Sequence, residues 1–176
     1  PSDPTKEAWQ TGMLVLIPEI VNGEPLTLNR LWELMEEKYF PSTEADYENM
    51  SPSVAAEYGE TPAGKSEWIL IEQGVFPDSR NKKIQEQEAM IKPPYQLPEL
   101  LPMTALMILK YLNSPNKERL FSNSPWTFIR CKETIKGYHV VVGGFAAAGL
   151  LVSYYRSADE YDHAYVGVGA LRKFGP

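Results

Sequence analysis

Residues 59–66 read GETPAGKS. Gly59, Gly64, Lys65 and Ser66 stand at the spacing of a phosphate-binding loop, in which backbone amides and a lysine cradle the phosphates of a nucleotide. That chemistry needs more than spacing. The loop must leave a buried strand and enter a helix whose N-terminus faces the anion. Here the flanks read the other way: SPSVAAEY before it is polar and carries a proline, and SEWILIEQG after it alternates as a strand and stops at Gly74. Pro62 removes one of the amide donors, and no apolar run ending in Asp follows to hold magnesium. We read 59–66 as a solvated loop entering a strand near Ser66, with no cofactor. A nucleotide-dependent enzyme stands as an alternative.

Cys131 is the lone cysteine, and with His139 it is the next candidate for catalysis, as nucleophile and base of a hydrolase. Strand geometry argues against the pair. A two-residue turn at Lys136-Gly137 sets Thr134 opposite His139 and Cys131 opposite Val142. Ile129, Cys131, Ile135, Tyr138, Val140 and Val142 then share one face, and Arg130, Lys132, Thr134 and His139 the other. Cys131 becomes a core residue and His139 points away from it.

The stretch YYRSADEYDHAY (154–165) gathers Asp159, Glu160, Asp162 and His163 among four tyrosines. Its spacing matches no standard calcium or zinc loop, so no metal site is expected. Tyrosines supply rigid amphipathic contact area, which makes Tyr154, Tyr155, Asp159, Tyr161, Asp162 and Tyr165 the expected binding surface, with Trp126 behind them.

The elements that must position these groups follow from pattern. LTLNRLWELMEEKYF predicts a helix over 27–40, capped by Thr27 or Asn29 and ended by Pro41. NKKIQEQEAMIK predicts one over 82–92 and LPELLPMTALMILKYLN one over 97–113, the latter apolar on nearly every side and so buried. SEWILIEQ predicts a strand with Ile69 and Ile71 on one face and Trp68, Leu70 and Glu72 on the other. After Pro115, four runs rich in β-branched and aromatic residues predict an antiparallel meander of about four strands. Val140–Val142, Leu150–Val152 and Val166–Leu171 are expected as adjacent central strands. The class is α+β, in a single domain over 1–176 with a loose N-terminus and a long polar loop at about 42–65 that holds at most one short helix, around 54–58.

Bulk composition narrows the partners. Seventeen basic against 23 acidic side chains give a net charge of −6, without a basic cluster, so nucleic acid is not an expected partner. A single cysteine excludes an intrachain disulfide. The longest apolar run, 140–152, is broken by glycines and short of the roughly 20 residues a membrane span needs. GMLVLIP (12–18) lacks the basic lead-in of a signal peptide. Because the chain opens on Pro1, a leader removed ahead of it stays open. A soluble protein is expected, in a compartment the sequence does not name.

SRNKK (79–83), SNSPWTFIRCKE (122–133), YHVVVGGFAAAGLLV (138–152) and GVGALRKF (167–174) resemble stretches of an uncharacterised family of hypothetical proteins from intracellular, chlamydia-like bacteria. The resemblance spans roughly the C-terminal two-thirds of the chain. It implies no activity, cofactor or catalytic residue, and at most an interaction role toward a host. The expected function is therefore that of a non-catalytic, protein-binding domain.

Overall fold

The computed structural model of the chain describes residues 8–39, 50–116, 118–121, 126–146, 149–155 and 163–174. Its class is α+β. A helical turn, α1 (Ala8–Thr11), leads into β1 (Gly12–Ile17), a strand not foreseen in the sequence. β2 (Ile20–Val21) and β3 (Glu24–Pro25) form a small hairpin. α2 (Leu28–Tyr39) starts at Thr27, whose Oγ1 accepts the Arg30 amide at 3.0 Å, the capping bond its position predicts. α3 (Pro52–Tyr58) is the short helix expected around 54–58 within the long polar loop, with Pro52 in its first turn, where no amide is lost.

β4 (Glu67–Glu72) is the middle strand of a three-stranded antiparallel sheet, between β1 and β9 (Leu171–Phe174). Ile69 and Ile71 are fully buried and Trp68 is exposed, as alternation predicts, whereas Glu72 is buried as well. α4 (Ile84–Met90) and α5 (Leu100–Asn113) are shorter than the spans 82–92 and 97–113. α5 starts late because the chain before it is extended: Gln96 bridges to Leu171, and the Pro98 carbonyl accepts the Lys132 amide at 2.9 Å. Leu100–Ile108 are all buried, in line with a helix apolar on nearly every side.

The second sheet runs β7-β6-β5-β8, with β5 (Phe128–Ile135), β6 (Tyr138–Ala146), β7 (Gly149–Tyr154) and β8 (Val166–Gly167). β5, β6 and β7 form the expected meander, with Val142 opposite Val152. The last run departs from expectation. Val166–Gly167 pairs parallel with β5 rather than with β7, and Leu171–Phe174 leaves for the first sheet. The glycines between explain the crossing. A Cβ on Gly167 would lie 2.7 Å from that of Val75, and one on Gly169 2.5 Å from Cδ1 of Ile129, so the chain passes where no side chain fits.

One continuous core takes Val15, Ile17, Ile69 and Ile71 from the first sheet, Cys131, Val140, Val142 and Val152 from the second, and the buried side of α5. On the far face of the second sheet a small cluster of Phe128, Val141 and Val166 is separately buried.

Candidate functional site

The GETPAGKS segment connects a helix to a strand, the reverse of a phosphate loop. Gly59 is not part of the open loop; it is buried as the C-cap of α3, in right-handed helical conformation. Its lack of a side chain matters for packing, because a Cβ there would come within 2.6 Å of Oδ1 of Asn29. Four polar groups of the segment bond residues 19–29. The Gly59 carbonyl accepts the Asn29 amide at 3.0 Å, Glu60 accepts from Nδ2 of Asn29 at 2.6 Å, and the Ala63 amide donates to Leu26 at 2.8 Å. Oγ of Ser66 accepts the Glu19 amide at 2.9 Å, and Gly64 and Lys65 are exposed. What this loop does in the structure is clamp the start of α2.

Cys131 is fully buried, and burial pushes its thiol well above its ordinary value, with the charge of Glu133 adding to the effect. Nδ1 of His139 does approach Cys131, at 2.7 Å, but the atom it meets is the backbone carbonyl oxygen. The hairpin register at Thr134–His139 is the one the turn predicts. Beyond it β5 bulges: Ile129, not Cys131, lies opposite Val142. Since the bulge shifts the register by two residues, the alternation of faces survives it, and Ile129, Cys131, Ile135, Val140 and Val142 all remain in the core.

The other face of β5 carries a buried cation. Arg130, on the same face as Lys132, has no exposed surface. Its guanidinium donates to Oε1 of Gln87, whose amide nitrogen donates to the carbonyls of Ser79 at 2.6 Å and Val166 at 3.2 Å. α4 and the segment before it cover this side of the sheet. The polar glutamine inside amphipathic α4 was the signal, legible only once its partner was known.

Of the expected tyrosine surface, Asp159, Tyr161 and Asp162 lie outside the described residues. Tyr154 packs half-buried against the core. Tyr155 and Tyr165 are exposed, and so is Trp126. The three surround Phe128, whose ring is 6.1 Å from that of Trp126 and 6.5 Å from that of Tyr155, and whose amide donates to the Tyr165 carbonyl at 2.8 Å.

Two features escaped sequence reading. The first is the outer face of the three-stranded sheet. Leu16, Trp68 and Phe174 stand opposite one another across β1, β4 and β9, and Leu14, Leu70 and Arg172 form the next row. Leu14 is 56% exposed, Leu16 44%, Trp68 50% and Phe174 37%, with Arg172 stacked 4.9 Å from the centre of the Phe174 ring. Without β1 as its neighbour, Trp68 is one exposed aromatic rather than the middle of a row. The second is a cavity of about 150 Å³ between the 58–63 loop, the start of α5 and the start of β4, walled by Glu67, Glu99 and Glu133. These acids are far apart in sequence and no motif joins them. Among the described residues, no cluster of His, Cys, Asp and Glu suits a metal ion and no helix is long and apolar enough to cross a membrane. No family model, no curated protein and no solved structure matches this chain significantly.

Proposed function

We propose that this protein is a protein-binding module that docks its partner on the outer face of the three-stranded sheet. The observation that carries this reading is the exposed row Leu16–Trp68–Phe174, backed by Leu14 and Leu70. An apolar sheet face normally packs on another layer, and contiguous exposed apolar surface marks interaction sites. The composition is that of an energetic centre: a tryptophan in the middle, an arginine on an aromatic ring at one side, aliphatic residues around them. The adjoining strand favours the same use. Among the described residues β1 pairs with β4 alone, and GMLVLI carries no charge or proline of the kind that blunts an edge.

Affinity capture tests the reading, using the parent chain, Leu16→Ser/Trp68→Ser and, as a second surface, Tyr155→Ser/Tyr165→Ser. Each variant is first checked for a retained unfolding midpoint. A partner held by the parent and the tyrosine variant but lost by the sheet variant is expected. Loss in the tyrosine variant alone would move the surface to the aromatic group around Phe128, and unchanged capture in both would overturn the docking surface altogether.

A further inference from the structure

The cavity beside α5 combines an apolar floor with three acidic side chains. Ile17, Leu28, Leu100 and Leu101 are buried along it, and its volume of about 150 Å³ matches apolar voids that accept a benzene-sized molecule. Of its three carboxylates, two share a cation. Nζ of Lys173 is 2.8 Å from Glu67 and 2.8 Å from Glu99, and Nζ of Lys132 is 3.5 Å from Glu99. Glu133 is placed differently. Its Oε2 accepts the Leu100 amide at 2.9 Å, Lys132 acts on it only from longer range, and burial holds its carboxyl above the usual range. Among the described residues three acids therefore meet two lysines, and Glu133, when ionised, is the carboxylate that neither lysine pairs directly.

We infer that this cavity binds a small primary amine, its compact apolar body on Leu28 and Leu100 and its ammonium against Glu133. An anion would meet three acidic side chains, and a neutral molecule would gain nothing from the ionisation of Glu133. The volume limits the body to about the size of one six-membered ring. Docking the ammonium favours ionised Glu133, which releases its proton to water, so affinity rises with pH across the titration of that group. The site shares no residue with the apolar sheet face, and either can fail without the other.

Benzylamine is the probe, with benzyl alcohol and benzoate as neutral and anionic counterparts of the same shape. Methyl resonances of Leu28, Leu100 and Leu101 report binding. Saturable shifts with benzylamine are expected at millimolar concentration, with affinity lower by about tenfold for benzyl alcohol and undetectable for benzoate. Glu133→Gln keeps an acceptor for the Leu100 amide and should weaken benzylamine by about tenfold or more. Ala63→Leu narrows the cavity from the loop side with Glu133 intact, and should abolish the shifts. No saturation with benzylamine up to about 10 mM, equal binding of benzoate, or unchanged affinity in both variants would overturn the assignment.

Discussion

Arg130 and Gln87, neither with exposed surface, are joined by a hydrogen bond from guanidinium to side-chain amide oxygen. Through its nitrogen Gln87 also binds Ser79 and Val166, so one side chain ties α4, the segment ahead of it, β5 and β8 together. A cation inside a protein is tolerable only while its donors have acceptors.

Gln87→Leu removes an acceptor from the buried guanidinium and a donor from two carbonyls, and should destabilise the fold by roughly 2–3 kcal/mol. Arg130→Met, which keeps the stem of the side chain and discards the charge, should cost less than Gln87→Leu. The double variant should cost less than the sum of the two, with a coupling of about 1 kcal/mol or more. Urea denaturation of the four proteins measures this. Strict additivity would mean the two side chains do not depend on each other.

The crossing from the second sheet to the first is open to an equally direct test. A Cβ on Gly167 would come within 2.7–2.8 Å of Val75 and Ser79, and one on Gly169 within 2.5 Å of Ile129 and 3.1 Å of the Gly74 carbonyl. Gly167→Val and Gly169→Val should each lose about 1–3 kcal/mol by overpacking, read as a lower denaturation midpoint. The clashing neighbours are Val75, Ser79 and Ile129, rather than a residue of β6 or β7. Val75→Ala should therefore recover part of the loss at Gly167 and none at Gly169.

What was legible in the sequence followed local periodicity. The helices around 28–39, 84–90 and 100–113, the β5–β6–β7 meander, the buried face of β4 and the core placement of Cys131 each rest on a repeat of side-chain types within one segment. The partner of a segment is a different matter. GMLVLI has only six residues with too little polar alternation to declare a strand, and its pairing with β4 joins positions 50 to 60 apart, such as Leu16 and Trp68. The run 166–174 reads as one strand because nothing local distinguishes a strand that changes sheets from one that does not. Burial of Arg130 likewise depends on Gln87, 43 residues earlier. Both the apolar face and the acid-walled cavity are assembled from such distant pieces, which is why neither was visible as a motif.

The Cys131 thiol should behave as a core group. With the side chain fully buried and its thiol held well above the ordinary value, mostly by desolvation, almost no thiolate is present at neutral pH. Labelling by a thiol reagent should be slow in the native protein, should not accelerate with pH below the onset of unfolding, and should become fast in denaturant. Rapid native labelling at pH 7 would instead indicate an accessible thiolate near His139 and restore the hydrolase alternative.

Glu133 gives the fold a pH dependence whose sign can be worked out. Burial, helped by the charge of Glu99, raises its carboxyl above the usual value near 4.5 against the lowering by its own amide, the Leu100 amide and Lys132. The folded protein therefore keeps this proton at pH values where the unfolded chain has released it. Where the unfolded state binds fewer protons than the native one, stability falls as pH rises. The contribution of Glu133 is thus fully present below the unfolded value and is lost as pH climbs through the raised folded value. Glu133→Gln removes this titration while keeping an acceptor for the Leu100 amide. Comparing parent and variant by urea denaturation between pH 4 and pH 7.5 cancels the carboxylates they share. The parent should lose stability relative to the variant as pH rises across that window. A difference between the two that stays constant with pH would show that Glu133 titrates alike in both states, and that the cavity wall does not hold its carboxyl in the protonated form.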